Sequence, residues 1–471
     1  MMMERSVDGL IGSARAAARR IRDAKDVLIV AHIDADGISA ASIASSALSR
    51  LGVEHRTVFL KKLDEAAIAE IDAAPEELAW VVDLGSGYLS QFTRQGLVVT
   101  DHHTVDNEWR KGQTNLLSFP DVYHVNPHEH GVDGSSEICG AGVTYLVARE
   151  LDGVNVSLAH LAIVGAAGDF QDSDGSLKGL NRQILQDALI EGTIEVDTDL
   201  RLFGRITRPL PQLLQYCNDP QLPGLTSDNM GCIRFLNDLG IELRKGQRKR
   251  TWMDLDDDER EVLREALIKV ASDGGADISR FHGEVYNLPM EKEGTELRDV
   301  KEYATLLNSC GRYDDAETGM RICLGEPGAL EDSRSNRDEH RRQLSQAINM
   351  VRDNGMIKER GWVQFFHSGG EIRETIVGIV AGMLLGNNGV RRDIPMVAFA
   401  DSGDGEIKVS ARGHRDLVSR GLNLSKAVNI AADIVGGYGG GHDIAAGATI
   451  PAGTEERFLE IIEDIVASQI I

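Results

Sequence analysis

Short apolar runs that stop on an acidic residue or a histidine recur through the first third of the chain, and they constrain its fold more than any other feature. Residues 27–31 (VLIVA) lead straight into His32-Ile33-Asp34-Ala35-Asp36-Gly37. Residues 78–82 end at Asp83, and residues 97–100 end at Asp101-His102-His103. Continuous apolar runs of this length fit strands covered on both faces. Between them lie helical patterns at 37–50 and 64–73, with a further strand at 55–60. The alternation predicts an α/β domain built on a doubly wound parallel sheet. In such a sheet the carboxyl ends of the strands share one edge, where ligand sites form. His32, Asp34, Asp36, Asp83, Asp101, His102 and His103 are therefore expected to converge. Asp169, after the apolar helix pattern LAIVGAAG, adds another carboxylate.

Carboxylates gathered this closely repel one another, so something cationic must hold them. Two divalent ions ~3.5–4 Å apart, sharing one carboxylate, would do so. Mixed imidazole and carboxylate donors suit Mn²⁺ best, with Mg²⁺ also admissible. A calcium loop needs Asp at its first position and Glu at its twelfth, where this chain has His32 and Ile43. The five cysteines form no CxxC pair, which argues against a zinc ribbon and predicts reduced thiols in a cytoplasmic protein. A formal net charge of −24 excludes a basic clamp over the whole molecule. A polyanionic substrate must then be met by a local patch or by metal ions.

The 471 residues divide on composition. Residues 1–186 carry the strand–helix alternation, after an amphipathic N-terminal helix. Residues 187–344 read as a mostly helical insert containing a basic run, RKGQRKR at 244–250, before an acidic one. That run, Arg312 and Arg373 are candidates for nucleic-acid contact. Residues 345–471 read as a smaller C-terminal α/β domain. Its most apolar stretch, 376–390, is too short to span a bilayer, so no membrane partner is expected. Near the end stands Gly436-Gly437-Tyr438-Gly439-Gly440-Gly441-His442. It fits no dinucleotide fingerprint but suits a backbone nest for an anion, with His442 as a donor beside it. Arg412, ending a strand pattern, can make a bidentate contact to a phosphate.

These residues resemble the DHH phosphoesterase superfamily, through the His32–Gly37 segment, Asp83, the Asp101-His102-His103 triplet and Gly168-Asp169. Gly439–His442 resembles the associated DHHA1 domain. The stretches SEICGAGVTY, EYATLLNSCGR and EIRETIVG point within it to archaeal RecJ-like exonucleases, including the GINS-associated nuclease. Thr104 stands where that family commonly has Pro. The resemblance implies one ion on His32, Asp34 and Asp83, and a second on Asp36, Asp83, His102 and Asp169. It implies that Asp101 orients the histidine pair, that His103 lies near the scissile phosphate, and that Arg412, His442 and Gly439, Gly440 and Gly441 grip substrate. The implied activity is release of 5′-mononucleotides from single-stranded DNA or RNA in replication and repair, with GINS as a partner. A small-substrate phosphodiesterase and a non-catalytic replisome scaffold are the alternatives.

Overall fold

The computed structural model describes residues 2–106, 109, 121–217, 220–385 and 390–470. Its first compact unit runs to Ser333, and the second begins at Arg334. The first is built on five parallel strands: β1 (Asp26–His32), β2 (Glu54–Leu60), β3 (Leu78–Val82), β4 (Leu97–Thr100) and β5 (Val122–Val125), in the order β2-β1-β3-β4-β5. Alternate residues serve opposite faces, as the pleat requires. Val27, Ile29, Trp80, Val82 and Val98 pack under helices Met2–Arg22, Ala35–Leu51, Gly140–Leu151 and Ala159–Gly168. Leu28, Val30, Ala79, Val81, Leu97 and Val99 pack on the opposite face with helix Glu65–Ala73. This is the doubly wound arrangement expected. The order reverses between β1 and β3, the switch point at which such sheets leave a crevice.

The middle of the chain contains a module with its own core. β6 (Glu195–Leu200) pairs antiparallel with β9 (His282–Asn287), Leu200 opposite His282. From this ribbon hang three helices, Leu210–Gln215, Asn229–Asp238 and Asp257–Asp273, around Leu210, Leu214, Leu236, Trp252, Leu263 and Leu267. The basic run forms a hairpin, β7 (Arg244–Lys245) with β8 (Arg248–Lys249). Helices Val300–Arg312 and Ala316–Cys323, in the stretch read as insert, instead add Val300, Tyr303, Leu307 and Ile322 to the first core. Glu302, 3% exposed, ties the two regions together by accepting the Ile206 N–H (2.8 Å) and the Thr207 hydroxyl.

The second unit holds a six-stranded sheet, β10 (Lys358–Arg360), β11 (Val363–His367), β12 (Met396–Gly403), β13 (Glu406–Arg412), β14 (Tyr438–Gly441) and β15 (Ala445–Pro451), ordered β10-β11-β12-β13-β15-β14. Only β11 and β12 run parallel. Helix Glu374–Leu385 covers one face, and helices Leu424–Ile434 and Glu455–Gln469 the other. The apolar stretch at 376–390 begins in the first of these; its residues 386–389 lie outside those described. Among the described residues no helix is long and apolar enough to cross a membrane.

Burial and the neighbouring Asp299 charge push the Glu302 carboxyl up to about 7. The folded state then holds this proton more tightly than the unfolded chain, so stability falls as pH rises from about 4.5 through about 7. E302Q should flatten that decline in a series of melting temperatures across this range.

Candidate metal centre

Strand register builds the site. Ala31, Val82, Thr100 and Val125 are successive partners across β1, β3, β4 and β5. The next rung is therefore His32, Asp83, Asp101 and Asn126, all at the carboxyl edge. Asp83 leaves β3 with a positive φ of 60°, a conformation an L-residue adopts at a cost of about 1–2 kcal/mol. Asp34 caps helix Ala35–Leu51 by accepting the Gly37 N–H at 3.0 Å, and its other oxygen lies 2.8 Å from His32 Nδ1. Asp36, fully buried in the first turn of that helix, accepts the N–H groups of Gly140 (2.6 Å) and Ala141 (2.9 Å) at the start of another.

Three groups of donor atoms result: His32 with Asp34 and Asp83, Asp36 with His102 and Asp169, and Asp83 with His102 and His103. His102 Nε2 lies 3.4 Å from Asp83 Oδ1, 3.3 Å from Asp169 Oδ2 and 3.7 Å from Asp36 Oδ2. His102 Nδ1 faces the Gly134 carbonyl at 2.7 Å, so the ring carries its proton there and turns the Nε2 lone pair inward. Asp101 is a hub: it accepts the N–H groups of Ser86, His102 and His103, and lies 2.7 Å from His103 Nδ1. His103 itself keeps more than half of its side chain exposed.

The electrostatics are those of a site built around cations. No Lys or Arg pairs with Asp34, Asp36, Asp83, Asp101 or Asp169 among the described residues. Burial and repulsion from Asp36 and Asp34 raise the Asp83 carboxyl well above its ordinary range and push Asp169 up to about 9. Asp101 is buried too, yet its hydrogen bond from His103 and the histidine charges hold it low. That hydrogen bond pushes His103 up to about 9. Asp83 Oδ1 and His102 Nε2 are buried without a hydrogen-bond partner. Buried polar atoms left this way are costly unless something fills the space between them. A divalent ion fits that space and this donor chemistry.

Several positions that shape the site carry no donor and went unread in the sequence. A Cβ on Gly140 would stand 2.3 Å from Asp83 Oδ1, and one on Gly165 2.4 Å from Asp36 Oδ1. A Cβ on Gly311 would stand 1.7 Å from the Ile33 carbonyl, while Asn308 Oδ1 accepts the Ala35 N–H at 2.9 Å. Helix Val300–Arg312 is thus pressed against the His32–Gly37 loop. The glycines of SEICGAGVTY, LAIVGAAGDF and EYATLLNSCGR were the available signal. Asp169 is the C-cap residue of helix Ala159–Gly168, and Phe170 follows it with a φ of 58°.

In the second unit, Arg412 is half-buried, and among the described residues its guanidinium donates to backbone carbonyls, Ala411 O at 2.8 Å and Ala446 O at 3.4 Å. No carboxylate pairs with it among the described residues, and burial lowers its pKa. Gly378 makes room for it, since a Cβ there would lie 2.5 Å from Arg412 Nη2. Arg412 is the register partner of Ala445, whose carbonyl accepts the His442 N–H at 2.8 Å. Arg412 and His442 therefore share one end of the sheet, about two strand spacings apart (~10 Å). The Gly439–Gly441 segment is an edge strand and not a compact nest, because it pairs residue for residue with β15. Gly439 is needed where helix Leu424–Ile434 crosses, as a Cβ would meet Val428 Cγ1 at 3.1 Å. Arg373 is exposed just ahead of helix Glu374–Leu385, and Arg312 is exposed at the end of its helix. The basic run is partly structural: Arg250 is buried against Glu259 and Arg248 pairs with Asp254, leaving Arg244, Lys245 and Lys249 outward.

Comparison with known proteins finds two matching domain models, one relative of similar length and several similar folds. The DHH-CID domain matches residues 202–283, the module hung from the β6–β9 ribbon, and the DHHA1 domain matches residues 362–468. An uncharacterized protein of Methanocaldococcus jannaschii is 29% identical over 451 residues, covering 94% of both chains. The crystal structure of exonuclease RecJ bound to manganese is similar with a TM-score of 0.55 and 17% identity, over 98% of this chain and 94% of that one. RecJ from Thermus thermophilus in complex with Mn²⁺ gives the same TM-score and identity, and this chain spans 55% of its length. CDC45 from Entamoeba histolytica gives a TM-score of 0.63 at 11% identity, over 98% of this chain and 99% of that one. The chain thus carries a DHH-CID and a DHHA1 domain, and its fold is that of the RecJ and CDC45 structures.

Titrating metal-stripped protein with Mn²⁺ should raise its stability by about 2.7 kcal/mol at a hundredfold excess over Kd, and EDTA should reverse the gain. D83N removes a like charge, so its metal-free melting temperature should be no lower than that of the parent, while the Mn²⁺-dependent rise disappears. Differential scanning calorimetry reads both.

Proposed function

We propose that the chain is a divalent-metal-dependent phosphodiesterase, an exonuclease that shortens single-stranded nucleic acid and releases 5′-mononucleotides. The observation that carries this reading is the pair of orphaned buried atoms, Asp83 Oδ1 and His102 Nε2, ringed by further donors. His32, Asp34 and Asp83 would hold one ion, and Asp36, Asp83, His102 and Asp169 the other, Mn²⁺ ahead of Mg²⁺. Bound there, such ions supply Lewis acidity toward the phosphodiester and bring the pKa of water toward neutrality.

The protein's own groups do the remaining work. Gly134 O fixes the His102 tautomer, and Asp101 fixes the backbone that carries both histidines. His103, held protonated by Asp101, presents Nε2–H to an oxygen of the scissile phosphate. Arg412, a cation that no carboxylate pairs among the described residues, and His442 recognise further phosphates of the strand, with Arg373 and the edge glycines as supporting contacts. Aromatic residues are only 5% of the chain, so most contact follows the backbone and sequence preference is weak.

The separately cored insert favours a polymer substrate over the small-substrate reading, which the two end domains alone would satisfy. It is also the region proposed to receive GINS or another replisome protein. The CDC45 likeness accommodates a non-catalytic scaffold in the same fold. The complete donor set favours the enzyme.

The decisive assay is purified protein with Mn²⁺ on single strands labelled at either end, as DNA and as RNA, beside a dinucleotide control. D83A should lower turnover at least a thousandfold, and unchanged turnover would remove the bridging role of Asp83. H442A should raise KM and leave kcat nearly intact; no change in either removes His442 from substrate contact.

A further inference from the structure

Phe170 sits where the helix Ala159–Gly168 ends. The Gln171 N–H returns to Ala166 O at 2.9 Å, and the Phe170 N–H returns to Ala167 O at 3.2 Å. That pair of bonds is a Schellman termination, and it places Phe170 at the position glycine normally takes. Its φ of 58° is the left-handed conformation that a side chain disfavours. The residue is 75% exposed, so burial returns little for the backbone strain. Neither propensity nor packing accounts for a large aromatic residue here.

Its location does. Asp169, the residue before it, places Oδ2 3.3 Å from His102 Nε2. Gln171, the residue after it, donates to Gly134 O at 2.9 Å, the same carbonyl that fixes His102. The turn bearing Phe170 thus borders the donor cluster through Asp169 and is tied by Gln171 to the carbonyl that orients His102, while Phe170 itself stays in solvent. Strain of this kind, held by its surroundings, belongs to ligand clamps.

We infer that Phe170 is a stacking platform for a nucleobase of the strand, next to the phosphodiester held at the Asp/His cluster. The inference rests on the phosphodiesterase reading and extends it from the phosphate to the base. A flat π-face accepts every base, so the contact adds affinity without sequence preference. Tyr88, 40% exposed on the 3₁₀ turn Ser86–Gln91 that follows Asp83, is a second exposed aromatic close in sequence to a cluster member.

The test compares the parent protein with F170G and F170W on a single strand and on the same strand carrying abasic terminal residues, with Mn²⁺. Strand binding is read in parallel by fluorescence anisotropy with Ca²⁺. F170G should raise KM on the normal strand about ten- to a hundredfold, F170W should restore it, and the parent and F170G should converge on the abasic strand. F170G should also melt at or above the parent temperature, because glycine relieves the left-handed turn. Equal KM for the parent and F170G on the normal strand overturns the stacking role while leaving the hydrolase reading in place. A marked fall in melting temperature in F170G overturns it in favour of a structural role. A parent protein that neither binds nor cleaves single strands overturns the phosphodiesterase reading and the stacking role with it.

Discussion

Like-charge repulsion at one sheet edge is the constraint that the rest of the first unit serves. Register brings His32, Asp83 and Asp101 onto a single rung, and two helix termini deliver Asp36 and Asp169 to the same place. Water is largely excluded, so each carboxylate raises the energy of ionising the next. The surroundings respond in two ways. Where backbone N–H groups and an imidazole can be supplied, as at Asp36 and Asp101, the charge is satisfied locally. Where they cannot, as at Asp83 and Asp169, the carboxyl is pushed upward and gives up its proton less readily. The glycines around the cluster follow from the same constraint, because closely set carboxylates leave no volume for a neighbouring Cβ.

Much of this was legible in the sequence, and the reason is local. A strand buried on both faces must be apolar throughout, so β1, β3 and β4 announce themselves, and the polar residue that ends each run marks the edge. β5 did not: VYHV is only half-buried, and its mixed composition hides the strand. β14 and β15 are built from Gly and Ala, which carry little strand propensity, and their pairing depends on contacts with β13. The helix Ala329–Asp353 starts well before the periodic pattern at its C-terminal end, because its first half is charged on most sides.

The residues that were invisible are those whose role depends on distant partners. Nothing local to Asn308 indicates that it would hold the Ala35 N–H, 273 residues away in sequence. Gly140 reads as an ordinary small residue until Asp83 is seen against it. Arg250 looked like part of a basic surface, and only its burial against Glu259 makes it structural. Charge runs report composition, whereas the partner that each charge meets is set by the fold.

The β6–β9 ribbon has one more implication. Because Leu200 and His282 face each other across it, everything between them enters and leaves the main body through a single pair of adjacent residues. A segment anchored in this way folds around its own Trp252-centred core, and its bonds to the host, Ile206 and Thr207 to Glu302 and Arg205 to Asp299, lie close to that entry point. A change of length inside that loop of chain therefore leaves the spacing of its two attachment points as it is.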